Sequence, residues 1–272
     1  MRDERLEILL GAGGRHRPAP GAKDTIVVDA LTKRYPDGTE AVRGISFHVA
    51  AGEVFGMLGP NGAGKSTTIG MLGTLVRPTG GSATVAGYDV ATHPRDVRRR
   101  IGFAMQEVGV DELATGSELL MLAGRLHGLS RSQAARRTGL LLDLVGLGDA
   151  AGRLMAEYSG GMRRRVDLAS ALIHLPPVLF LDEPTEGLDP HGRTAIWEML
   201  QRLNEALVVT ILLTTHYMEE ADRLCGRIAI VDHGLIVAEG TPHELKAAHA
   251  TASASLEDVY LQTTGRPLEV AA

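Results

Sequence analysis

At 272 residues, 44% of them hydrophobic and 22% charged, the chain is long and apolar enough to bury one elaborated domain or two small lobes, not a string of domains. A net charge of -5 argues against a general nucleic-acid-binding surface, and a single cysteine, Cys225, leaves no internal disulfide framework and reads as a small buried apolar group. The most apolar stretches, 178–181 and 207–213, are strand-sized and fall far short of the roughly 20 residues that cross a bilayer.

Residues 1–22 mix acid with base around a short apolar run, lack a secretory signal and read as a mobile extension. From 23 to 245 short β-type runs alternate with helix-period segments, the pattern of an α/β fold on a mainly parallel sheet. Runs at 25–28, 46–49 and 54–58 come first. The last feeds a glycine-rich segment, after which Ile69, Leu72 and Val76 mark one face of a helix. Residues 101–105 predict a further core strand. Beyond them the pattern turns helical, so that about 107–175 reads as an inserted helical subdomain. Within it Thr115 with Glu118, and Ser130 with Gln133, have capping-box spacing, and Gly146 suits the end of the second helix. Strands at 178–181, 208–213 and 228–232 then alternate with helices near 193–203 and 218–224. The tail, 246–272, is Ala-rich before a short apolar pattern of Leu256, Val259 and Leu261. Two arginine runs, Arg98 to Arg100 and Arg163 to Arg165, read as solvated faces.

Gly59-Pro60-Asn61-Gly62-Ala63-Gly64-Lys65-Ser66 matches the phosphate-loop pattern G-x-x-x-x-G-K-[ST] and lies between a strand and a helix, as its mechanism requires. Glycines let the backbone wrap closely, successive N–H groups and the helix N-terminus face the phosphates, Lys65 neutralises β and γ phosphates, and Ser66 offers an oxygen to Mg2+. Thr67 follows in the same nucleotide-binding run. At the end of the strand 178–181, Asp182 and Glu183 stand at the sheet edge where α/β proteins bind ligands. An acidic pair in a turn is common; behind a phosphate loop, Asp182 becomes a Mg2+ position and Glu183 the group that polarises an attacking water.

Tyr158-Ser159-Gly160-Gly161-Met162 resembles the L-S-G-G-Q signature of the ABC ATPases, with the core intact and the two outer positions changed. It precedes the second acidic strand and opens a helix with Val166, Ala169 and Ile173 on one face. Other elements of that family follow in order. Gln106 resembles the Q-loop, Glu186-Gly187-Leu188-Asp189 the D-loop and Thr214-Thr215-His216 the H-loop, while Tyr35 matches the aromatic that stacks on adenine. The resemblance spans about residues 25–244. It implies a P-loop NTPase fold, a RecA-like parallel sheet core with an N-terminal antiparallel β subdomain and an inserted α-helical subdomain. It also implies ATP and Mg2+ as cofactors and a dimer in which Ser159, Gly160 and Gly161 of one copy grip the γ-phosphate held by Lys65 of the other. His216 would then contact the γ-phosphate and steady Glu183, Gln106 would sense Mg2+, and Asp189 would serve communication across the dimer.

Smaller details, Leu75-Val76-Arg77-Pro78-Thr79, the Asp232-His233-Gly234 turn, Ala238-Glu239-Gly240-Thr241-Pro242 and the closing segment from Leu256 to Arg266, resemble the ATPase subunits of daunorubicin-resistance-type exporters. That resemblance implies a peripheral protein on the cytoplasmic face of the cell membrane, paired with a separate multispanning permease that expels drugs, antibiotics or lipidic molecules, and no nucleic-acid partner. A soluble ABC ATPase acting on nucleic acid or the ribosome is the alternative; it wants a long coiled-coil insertion or two tandem cassettes, and neither is present. A GTPase wants Asn-Lys-x-Asp, and neither Asn61 nor Asn204 precedes lysine.

Overall fold

The computed structural model describes residues 24–106, 109, 111–248, 255–265 and 267; the N-terminal extension expected over 1–22 lies outside them. In chain order the elements are β1 (Asp24–Arg34), β2 (Glu40–Ala50), β3 (Val54–Leu58), α1 (Lys65–Leu72), β4 (Gly80–Val85), β5 (Tyr88–Asp89), α2 (Pro94–Arg98) and β6 (Ile101–Ala104). The helical segment follows with α3 (Gly116–Leu126), α4 (Arg131–Leu144) and α5 (Gly160–Leu172). Then come β7 (Val178–Asp182), α6 (Pro190–Leu207), β8 (Thr210–Thr215), α7 (Met218–Leu224), β9 (Arg227–Asp232), β10 (Leu235–Gly240), α8 (Pro242–Ala247) and α9 (Leu256–Thr264).

Six strands form the central sheet in the order β10-β9-β3-β8-β7-β6, parallel except for the edge strand β10. Its strands are apolar on both faces because both faces are covered. Along β7, Leu179 and Leu181 enter one core with the helical segment, while Val178 and Phe180 enter a second core shared with the antiparallel sheet. β3 does the same, Leu58 on one side and Phe55 and Met57 on the other. Each such side chain contributes about 1.5–3 kcal/mol on burial, so the period-2 alternation pins the sheet between two layers. The antiparallel sheet, β2-β1-β4-β5, buries only one face: β2 alternates Ile45, Phe47 and Val49 inward, and Phe47 stacks on Phe55 with centroids 5.2 Å apart.

The two expected capping boxes are both formed, and Gly146 takes a φ of 69 just past α4. Several boundaries differ from the sequence reading. Val208 does not begin a strand; it closes α6 in the left-handed region at φ 52, where Asn204 Nδ2 ties the chain to Gly52 O and Val209 O. Val76 lies beyond α1, which stops at Leu72 where the chain turns through Thr74 at φ 63. The run Arg163 to Arg165 is not a solvated face, because successive helical residues point about 100° apart. Arg164 is buried, and Arg165 is half-buried with Nη1 on Val145 O. In α9, Leu256 and Val259 are buried as the pattern suggested, but Tyr260 rather than Leu261 is the third buried residue. Among the described residues no helix is long and apolar enough to cross a membrane.

Candidate nucleotide site

β3 runs into the phosphate loop, and α1 leaves it. Gly64 sits at φ 103 immediately before α1, and a Cβ there would stand 2.3 Å from Ala41 O, a contact that real side chains do not make. Gly59 is equally constrained, with Val231 O 2.2 Å from where its Cβ would be. The loop borders a cavity of ≈ 690 Å3, whose walls include Asn61, Ser66, Thr67, Gln106 and Glu183. β2 and the turn after β9 close its far side with Arg43 and His233, which the sequence reading did not assign to the site.

Lys65 is 3% exposed, and its Nζ donates to Gly59 O (2.7 Å) and Pro60 O (3.0 Å) and faces Glu183 Oε1 at 3.4 Å. Burial pulls the ammonium below its usual range, and the Glu183 carboxylate opposes that pull. Ser66 Oγ donates to Asp182 Oδ1 (3.0 Å), and Thr214 Oγ1 donates to the same oxygen (2.5 Å). Two of the three residues expected at Mg2+, Ser66 and Asp182, are thus brought together from α1 and β7, while Gln106 lines the same cavity but bonds to Glu186 instead, and β8 adds a hydroxyl that sequence reasoning gave no role at the ion. Thr214, the first residue of the motif that ends in His216, was the available signal.

Glu183 occupies the left-handed region at φ 47, a conformation that costs a non-glycine residue about 1–3 kcal/mol and must be held by its surroundings. Its N–H is held by both oxygens of Thr214, at 3.2 Å to O and 3.0 Å to Oγ1. His216 Nδ1 lies 3.2 Å from Glu183 Oε2, a close contact whose alignment falls short of a hydrogen bond. Burial favours the protonated acid, yet His216, Glu186 and Lys65 together outweigh it and hold the Glu183 carboxyl well below its usual range. The neighbouring Glu186 moves the other way, raised first by burial and then by the Glu183 carboxylate. Gln106 Nε2 donates to Glu186 Oε2 at 2.5 Å, so Glu186, which the sequence reading placed only at the start of the D-loop motif, stands between two expected site residues.

Tyr35 is half-buried beside the loop, its hydroxyl 3.5 Å from Thr67 Oγ1 and its ring 5.0 Å from Lys33 Nζ. The signature stands apart. Ser159 caps α5 by accepting from Met162 N (3.3 Å), and Gly160 borders a second hollow of ≈ 280 Å3 together with Gln106, Glu186 and Leu188. Among the described residues lining the phosphate cavity, none comes from 159–161. Asp189 caps α6, its Oδ1 accepting from Gly192 N at 2.8 Å.

Residues 42–186 match the ABC transporter family. The daunorubicin/doxorubicin resistance ATP-binding protein DrrA of Streptomyces peucetius is 53% identical over 223 residues, which cover 82% of this chain and 67% of that one. The Nod factor export ATP-binding protein I of Rhizobium meliloti (strain 1021) is 46% identical over 228 residues, 83% of this chain and 68% of the relative. Among solved structures, an ATP-binding subunit of an ABC transporter superposes with a TM-score of 0.77 at 32% identity, covering 88% of this chain and 99% of that chain. The dimeric ATP-binding cassette MJ0796 bound to ADP and Pi gives 0.72 at 27% identity, covering 79% and 98%. With its phosphate loop, strand-end carboxylates and nucleotide-sized cavity in the order and places that family requires, the chain belongs to the ABC transporter family as one of its ATP-binding, ATP-hydrolysing subunits.

Proposed function

We propose that the chain hydrolyses Mg-ATP as a dimer and powers export of drugs, antibiotics or lipidic compounds through a separate multispanning permease on the cytoplasmic face of the cell membrane. The observation that carries the catalytic reading is that Lys65, Ser66 and Glu183 line one cavity, with Asp182 behind it on Ser66 Oγ and His216 against Glu183, beside the C-terminal ends of β3, β7 and β8. In this reading the loop from Gly59 to Gly64 cradles the phosphates, Lys65 turns from Glu183 to the β and γ phosphates, and Tyr35 stacks on the adenine. Ser66 and Asp182, hard oxygen donors already in contact, fit Mg2+, and Gln106, which lines the same cavity, would add a carbonyl oxygen. Bound there, the ion would neutralise β and γ phosphate oxygens.

Glu183 accepts a proton from water as the water oxygen attacks the γ-phosphorus and the bond to the bridging oxygen breaks toward ADP. His216 holds Glu183 and the γ-phosphate. As nucleotide draws the Lys65 charge away and adds negative charge, the Glu183 carboxyl rises from its depressed value toward one suited to a base. Ser159, Gly160 and Gly161, which do not line the phosphate cavity of their own chain, complete the site of the second copy, where the N-terminus of α5 supplies positive potential. Asp189 carries communication between the copies. The domain organisation proposed with this reading is an ATPase domain over 23–245, a helical subdomain near 107–175 and a tail from 246.

Export as the direction of transport is supported by what the relatives are named for: resistance to daunorubicin and doxorubicin in one, Nod factor export in the other. The test is purification of the chain from detergent-solubilised membranes of its own host, with mass spectrometry of what remains bound. A multispanning permease is the expected companion. Recovery of ribosomes or DNA instead, with ATPase activity intact, would contradict the transporter reading.

A further inference from the structure

Arg164 lies in α5, five residues beyond the cap residue Ser159, and is 3% exposed. A buried guanidinium carries five N–H donors, and leaving them unmet is strongly destabilising. Here four hydrogen bonds meet them from three directions. Nε donates to Pro184 O (2.9 Å), Nη2 to Asp182 O (3.1 Å), and Nη1 to Met105 O and to Asp167 Oδ2 (3.2 Å).

The carbonyls of Asp182 and Pro184 flank Glu183 in the chain, and that of Met105 belongs to the peptide entering Gln106. Glu183 is the residue whose backbone sits in the left-handed region and so depends on its surroundings. Thr214 of β8 holds its N–H, and Arg164 of α5 holds the carbonyls on either side. One planar fork therefore gathers backbone groups after β6 and at the end of β7 onto the signature helix. A lysine, a point charge on a flexible stem, cannot reproduce that geometry.

We propose that Arg164 is a positioning residue for hydrolysis, coupling the signature helix α5 to the backbone that carries Glu183 and Gln106. The proposal rests on the role of Glu183 given above. Its consequence is a route between the two sites of the dimer: the N-terminus of α5 meets the partner's nucleotide, and the fifth residue of the same helix fixes the base of its own site. Packing alone would make Arg164 matter for stability and leave turnover per bound nucleotide unchanged.

The test uses the full chain carrying Arg164→Lys, Arg164→Met, Glu183→Gln or the pair Arg164→Lys with Glu183→Gln. Phosphate release gives kcat and KM, a fluorescent ATP analogue gives the density and affinity of binding sites, and urea unfolding gives stability. In Arg164→Lys, kcat per binding site is expected to fall at least about tenfold while affinity stays within about threefold. The double variant is expected to turn over no more slowly than Glu183→Gln alone, because nothing remains for Arg164 to position. Unchanged kcat per site in Arg164→Lys, or full additivity in the pair, overturns the proposal. Arg164→Met is expected to lose kcat in the same way; where it does not fold, Arg164→Lys, which keeps the charge beside Asp167, carries the reading. A wild-type rate in Glu183→Gln by itself contradicts the base assignment, and it is separable from the behaviour of Arg164→Lys.

Discussion

Replacing Glu183 by glutamine keeps its shape and removes its charge, and two consequences follow from where its oxygens lie. The first concerns chemistry. A positioned general base contributes about 10²–10⁴ to a rate, or about 3–5 kcal/mol, so kcat for phosphate release should drop by that factor. The second concerns the nucleotide-free state. Lys65 Nζ and Glu183 Oε1 are 3.4 Å apart with both side chains buried, an attraction of about 5 kcal/mol at an effective dielectric of about 20. ATP must draw Lys65 out of that attraction, part of which water in the cavity screens. Glu183→Gln should therefore bind ATP at least as tightly as wild type while hydrolysing it hundreds of times more slowly. The assay pairs steady-state phosphate release with equilibrium binding of ATP on the same preparation. A variant that keeps kcat within about threefold, or that loses ATP affinity tenfold, refutes the reasoning.

Lys65→Ala removes the only lysine that lines the phosphate cavity among the described residues, and calorimetry should show ATP affinity lowered at least about tenfold, with turnover lost. Gly64→Ala must adopt φ 103 with its Cβ against Ala41 O; urea unfolding should show a loss beyond the roughly 1–2 kcal/mol of left-handed strain, and an unchanged midpoint would contradict the geometry. Tyr35→Ala should weaken ATP binding by about 1–3 kcal/mol and Tyr35→Trp should restore it, as measured by titration with a fluorescent analogue. The Glu183 carboxyl is depressed in the folded chain, so its stabilisation is present above the unfolded value of 4.5 and is lost as pH falls through the lower folded one. Without nucleotide, wild type should consequently lose more stability than Glu183→Gln on acidification below about pH 5, in urea midpoints measured pH by pH.

The sequence exposed what depends on local pattern. The phosphate loop and the acidic pair after 178–181 stand at the sheet edge because apolar runs bounded by glycine and by charge specify buried strands and their ends. The capping boxes at Thr115 and Ser130 were readable for the same reason: the bonds join residues three apart. What escaped depends on partners distant in the chain. Arg164 lay in a run of three arginines, and only the placement of β6 and β7 around α5 shows that one of them is buried. Thr214 reaches Asp182 across 32 positions and Glu186 reaches Gln106 across 80, separations that no periodicity encodes. β4 and β10 escaped for a different reason. Glycines open β4, while β10 is a half-exposed edge strand, so neither shows the buried apolar run that marked the central strands. Tyr260 was passed over in favour of Leu261 because the face a short terminal helix buries is set by what it docks on.

The most direct test of the account is the mass in solution of the Glu183→Gln chain with and without Mg-ATP, measured by light scattering on the same sample whose ATP occupancy is determined. If Ser159, Gly160 and Gly161 complete the site of a second copy, nucleotide should convert monomer to dimer, and Ser159→Arg should block the conversion while leaving ATP bound. A chain that remains monomeric with ATP fully bound would contradict a site shared between two copies.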